Sequence, residues 1–160
     1  MLLHNMHRVT TPVLCLALLA CQVQRTAQDD SAAGSAVGYR EALEGMLAGG
    51  AAAWNRGDLD AFMSDYHPDS ARTTFVGSRG LLHGPSAIRE AYAPRFAEGA
   101  QRDSLSFEGI AVDSLAPGVA HLFAYYVLSR GDSVVARGPT SLVVLRDDAG
   151  AWKIVHDHSS

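Results

Sequence analysis

Apolar residues change their spacing after Gly99, and the change divides the chain into a helical part and a strand part. From Tyr39 to Asn55, Leu43, Met46, Leu47, Ala51 and Trp54 recur at steps of three and four, the period of a helix with one buried face. Gly49-Gly50 interrupts that face. Glycine costs a helix interior roughly 1 kcal/mol relative to alanine, so the pair predicts a kink or a second element packed on bare backbone. Gly57 is a helix stop, Asp58 an N-cap, and Leu59, Phe62, Met63 and Tyr66 form the buried face of a short second helix that His67-Pro68 closes. A short extended run over Ala71 to Gly77, a glycine-rich turn and Leu81-Leu82-His83-Gly84 follow. Pro85 then opens a third helix with Ile88, Ala91, Tyr92 and Phe96 on one face.

Beyond Gly99 four strand-like runs appear, Ser104 to Val112, Val119 to Ser129, Ser133 to Arg146 and Ala151 to Ser159. Turn segments Ala116-Pro117-Gly118, Arg130-Gly131-Asp132 and Asp147-Asp148-Ala149-Gly150 separate them. Helices followed by a four-strand meander predict an α+β fold, with the helices packed on one face of a curved antiparallel sheet and a cone-shaped space between the layers. Gly109 and Pro139 mark places for bulges or bends. Strict alternation along the last strand sends Trp152, Ile154, His156 and His158 to one face, a pocket wall with an aromatic at one end and two imidazoles at the other.

The strand at residues 119–129 carries two apolar stripes, His121, Phe123, Tyr125 and Val127 against Leu122, Ala124, Tyr126 and Leu128. A strand covered on both faces accounts for this. One stripe lines the cavity, and the other is buried by a second subunit, giving a homodimer through the outer sheet face. Parity alone does not choose between them; the reading adopted turns His121, Phe123 and Tyr125 inward.

Composition and charge narrow the partners. A net charge of −4 with both signs interspersed leaves no basic stripe for phosphates, so nucleic acid is not an expected partner. Both cysteines, Cys15 and Cys21, precede the domain, which therefore has no disulfide available. Residues 1–21, with an apolar run from Val13 to Ala20, read as a signal peptide, and the run is far below the ~20 residues of a membrane span. Leu18-Leu19-Ala20-Cys21 resembles a bacterial lipobox, which implies lipidation at Cys21 and an exported chain anchored to the cell envelope. Residues 22–37 read as a flexible tether, and residues 38–160 as one domain.

Ala53-Trp54-Asn55-Arg56-Gly57-Asp58-Leu59-Asp60-Ala61-Phe62, Tyr66-His67-Pro68-Asp69-Ser70-Ala71, Gly84-Pro85-Ser86-Ala87-Ile88-Arg89 and Trp152-Lys153-Ile154-Val155-His156-Asp157-His158-Ser159 together resemble the NTF2-like superfamily, in its SnoaL-like and DUF4440 branch. The resemblance implies the cone-shaped NTF2-like fold and a site between helices and sheet. It implies no single activity, because that superfamily spans isomerases, cyclases, dehydratases and non-catalytic modules. Ketosteroid isomerase, one member, uses a carboxylate base with a tyrosine and an un-ionised aspartic acid facing the oxyanion. Alignment places Thr74, Gly50 and Leu142 at those three positions, so its machinery does not carry over.

His156 and His158 remain as candidate acid–base groups, since imidazole titrates near neutrality; a hydrogen-bonded role at the sheet rim is the structural alternative. Trp152, Tyr125, Phe123, His121 and Thr74 are the candidate ligand contacts. Arg72 and Arg79 suit either an acidic ligand or plain solvation. His83, His121, Asp157 and Asp69 lack the spacing of a metal site, and neither a metal nor a cofactor is expected. The expected function is binding of a small hydrophobic molecule. The alternatives are a cyclase, isomerase or dehydratase working through His156 or His158, and a non-catalytic oligomerisation module. They differ in what the cavity holds: a perturbed titratable group marks an enzyme, an apolar void a binding module, and packed side chains a structural one.

Overall fold

The computed structural model describes residues 38–69 and 71–160. The expected signal peptide at 1–21, the lipidation site Cys21 and the tether at 22–37 lie outside the described residues. Helix α1 (38–56) runs unbroken through Gly49-Gly50. A Cβ added at Gly50 would stand 3.2 Å from Asp65 Oδ2, so the bare backbone there makes room for a carboxylate from another element.

The Trp54-Asn55 pair ties α1 to the sheet. Trp54 Nε1 donates to the Asp103 carbonyl at 2.9 Å, while the Asn55 amide accepts from the Leu105 N–H at 2.7 Å and donates to the Leu105 carbonyl at 3.0 Å. Gly57 then takes φ +77°, the left-handed conformation that ends a helix cheaply only in glycine. Asp58 caps α2 (Leu59–Met63), its Oδ1 accepting the Ala61 N–H at 2.9 Å. The two short extended runs form a hairpin, β1 (Thr74–Gly77) and β2 (Gly80–His83). Helix α3 (Gly84–Phe96) follows with proline in its first turn.

Strands β3 (Ser104–Ala116), β4 (Val119–Arg130), β5 (Ser133–Arg146) and β6 (Trp152–Ser159) make the expected meander. The sheet is larger than the meander, with six strands in the order β2-β1-β6-β5-β4-β3, and it is mixed, because β1 pairs with β6 in parallel. A wholly antiparallel sheet was the expectation; the β1–β6 pairing joins residues some eighty positions apart and leaves no local turn signal. Gly109, at φ +61°, does sit in a bulge between Glu108 and Ala111. Register runs unshifted through Pro139, which faces Tyr125.

Burial settles the parity of β4 against the reading adopted from sequence. Ala120, Leu122 and Ala124 are fully buried and face the helices, with Val144, Leu142 and Thr140 beside them on β5. His121, Phe123 and Tyr125 therefore project from the opposite face. Leu43 of α1 and Ile88 of α3 pack on the inner side, both at 0% exposure.

A second irregularity corrects the reading of the terminal strand. Val144 pairs with Ile154 but the adjacent Val143 pairs with His156, so Val155 is an extra residue in β6. Alternation restarts after it. Trp152 and Ile154 face inward as expected, but Asp157 replaces His156 on the inner face, and His156 and His158 turn outward.

Candidate functional site

A cavity of about 300 Å³ lies between α1, α2, α3 and the inner face of the sheet. Its walls are apolar and aromatic, with Phe62, Phe75, Leu82, Leu105, Phe107 and Leu142 among them. Polar groups converge in one part of it. The segment from Asp65 to His67 is tied to β6 just before the bulge: the Ile154 N–H donates to the Asp65 carbonyl at 2.7 Å, and the His67 N–H donates to the Ile154 carbonyl at 2.9 Å. This brings two side chains, Asp65 and Tyr66, to the cavity wall, where Tyr66 meets Asp157.

Asp157 is 5% exposed and accepts two hydroxyl hydrogen bonds, from Tyr66 Oη to Oδ2 at 2.6 Å and from Ser159 Oγ to Oδ1 at 2.6 Å. Ser159 Oγ also shares a 2.5 Å hydrogen bond with Thr140 Oγ1, which fixes the far side of the network. Burial pushes the Asp157 carboxyl above its ordinary range, and the hydroxyls of Ser159 and Tyr66 oppose that only in part. The Tyr66 and Tyr92 phenols are both raised, chiefly by burial and then by the neighbouring Asp157 charge, so both stay protonated as hydrogen-bond donors. Asp65 is the group poised to titrate. Burial raises its carboxyl to about 6, with Lys153 pulling the other way.

Of the sequence-derived candidates, Arg79 borders this cavity, whereas His156, His158, Trp152, Tyr125, Phe123, His121 and Thr74 do not. Trp152 is core, packed edge-on against Tyr39 with ring centroids 4.8 Å apart. The others lie on the outer sheet face. There His156 Nδ1 is 2.8 Å from Thr74 Oγ1, His121 Nε2 is 2.8 Å from Ser141 Oγ, Phe123 packs on Tyr125 at 5.2 Å, and His158 is exposed. Strict alternation on the wrong phase in β4, and across the bulge in β6, moved His121, Phe123, Tyr125, His156 and His158 to the cavity side. Among the described residues no three histidine, cysteine or acidic side chains are grouped to hold a metal ion.

Sequence reasoning missed Asp65 and Tyr66 and gave Asp157 to the wrong face. The three isomerase positions supply a signal that could have found two of them. Gly50 and Leu142 do border the cavity, although Thr74 does not. Asp65 fills the space over Gly50, and Asp157 is the direct cross-strand partner of Leu142. Carboxyls thus reach the region near both positions from other points of the backbone.

An open, curved sheet wrapped over helices, with a pocket between them, is the NTF2-like architecture. The chain belongs to the SnoaL-like domain family, whose sequence profile matches residues 44–160. Among solved structures it is similar to an NTF2-like protein of unknown function from Shewanella oneidensis, at 26% identity and a TM-score of 0.63 over 75% of this chain and 97% of that one. It also resembles a protein from Novosphingobium aromaticivorans provisionally assigned as a scytalone dehydratase, at 12% identity and a TM-score of 0.64 over 77% and 83% of the two chains. A third, from Streptomyces avermitilis and provisionally assigned as a dehydratase, shares 20% identity with a TM-score of 0.61 over 76% and 94%. No curated protein matches the chain.

Proposed function

We propose that this domain binds a small, mostly apolar molecule between helices and sheet and moves a proton on it, with Asp65 as the acid–base group. The observation that carries the reading is a carboxyl raised to about 6 in an aromatic cavity that also holds two protonated tyrosines. A carboxylate with that value is mostly ionised at neutral pH and still basic enough to accept a proton from carbon or oxygen. Tyr92, with Tyr66 and Asp157 behind it, offers a neutral hydroxyl to an oxygen on which charge develops. An isomerase or dehydratase needs these two elements, and the dehydratase assignments of similar structures agree with that class while sharing only its fold.

Nitrobenzisoxazole tests the base directly, because its ring opens once a single carbon-bound proton is removed. Turnover above buffer is expected, rising with pH through an inflection near 6, and falling about 10²-fold in Asp65→Asn. Equal turnover in the variant would remove Asp65 from the mechanism.

The outer sheet face supports a second reading, a homodimer. Val76, Phe123, Tyr125 and Val143 share that face with half-buried imidazoles, and exposed Leu81 extends it at its edge. Contiguous apolar surface of this kind on the outer face of a sheet is ordinarily covered. Phe123→Glu places a charge in its middle, and analytical ultracentrifugation should then show monomer where the parent chain shows dimer. A monomeric parent would end this reading.

A further inference from the structure

Two exposed cations stand at the mouth of the cavity, and among the described residues neither has a carboxylate partner. Arg79 lies in the β1–β2 turn and Arg95 in the last turn of α3, and both border the cavity. Arg79 Nη2 donates to the Ala91 carbonyl at 2.9 Å, which pins it to the stretch of α3 one turn before Arg95. The Arg95 guanidinium also sits 5.9 Å from the centroid of the Trp54 ring, itself part of the wall. Among the described residues, Arg40, Arg56, Arg72, Arg89, Arg130 and Arg137 each have a carboxylate within 4.0 Å, whereas Arg79, Arg95, Arg102 and Arg146 have none, and of these four Arg79 and Arg95 are the two that border the cavity. Arg79 is held by a backbone carbonyl and Arg95 against an aromatic ring, and among the described residues no carboxylate neutralises either.

We propose that the ligand is a hydrophobic monoanion, an aromatic or alicyclic carboxylate, whose charge is bound by Arg79 and Arg95 at the cavity mouth while its apolar body enters between Phe62, Phe75 and Leu82. A guanidinium presents paired N–H donors that match a carboxylate, and a cation already fixed by a carbonyl or a ring loses little freedom on binding. The interior enforces the orientation. Asp65 and Asp157 also line the cavity and are both disfavoured as anions by burial, so a second negative charge beside them is disfavoured. The anion stays at the rim and the apolar end is delivered to Asp65.

This inference rests on the cavity being a ligand site, and the experiment separates the two. Naphthoate and its neutral isostere naphthamide are titrated calorimetrically into the parent chain and into Arg79→Gln/Arg95→Gln at low salt. The parent should bind naphthoate about tenfold more tightly than naphthamide, and the double variant should bind both with the affinity the parent shows for the amide. Retained amide binding also shows that the variant is folded. Equal binding of both probes by the parent, or a preference that survives in the double variant, overturns the anionic ligand and leaves the cavity reading standing. Failure of the parent to bind either probe overturns both.

Discussion

Trp54→Ala should lower unfolding free energy by about 3–5 kcal/mol, enough to bring a domain of ordinary stability close to its threshold. The indole is 5% exposed and makes edge-on contacts with Phe62, Tyr92 and Phe96 at 5.7, 6.2 and 5.3 Å between ring centroids. Those three rings come from α2 and α3, so truncation opens a void where three helices meet, and it also leaves the Asp103 carbonyl without its donor. Urea denaturation of Trp54→Ala and Trp54→Phe separates the contributions. Phenylalanine keeps most of the volume and loses the hydrogen bond, for an expected loss of about 1 kcal/mol. A loss for Trp54→Ala no larger than for Trp54→Phe would show that the packing contributes little.

Asp65→Asn should act in the opposite direction, stabilising the fold above pH 6 by about 2 kcal/mol. The folded carboxyl titrates at about 6 against an ordinary value of 3.8, so between those values the folded state holds its proton more tightly than the unfolded chain does. Stability is thus highest below the lower value, falls as pH rises through the window, and stays reduced above it. A shift of about two pH units corresponds to roughly 3 kcal/mol, reduced here because the group keeps partial contact with water. Asparagine cannot ionise and removes this part of the slope; Asp157, shifted in the same direction, leaves a residue of it. Parent and variant should match near pH 4 and diverge by pH 7 in urea melts. Parallel curves across that range would mean that Asp65 is not held away from water as the structure shows. A variant that gains stability as it loses proton transfer is the behaviour expected of a group placed for chemistry.

What the sequence made legible was local. The Gly57 stop, the Asp58 cap, proline in the first turn of α3 and the glycine-containing hairpins depend on a few neighbouring residues, and each stands where its residues indicate. The stripes along β4 were visible too, but both are apolar, and only packing distinguishes Leu122 from Phe123. The β1–β6 pairing and the extra residue at Val155 depend on partners remote in sequence, and the second of these reversed the assignment of the histidines and Asp157. Asp65 had one local sign, the Gly49-Gly50 pair, which predicted close packing on the helix without naming what packs there.

Val155 also constrains how the protein can change. Because one strand carries Asp157 on the cavity side and two imidazoles on the other, a register slip of a single residue past the bulge would exchange that acid for imidazole inside the cavity and alter the outer surface at the same time. Changes to the cavity wall and to the outer sheet face are therefore coupled through this one strand. Drift in strand length between Gly150 and Ser160 should be tolerated far less than substitution at the same positions, since a substitution touches one face and an insertion rewrites both.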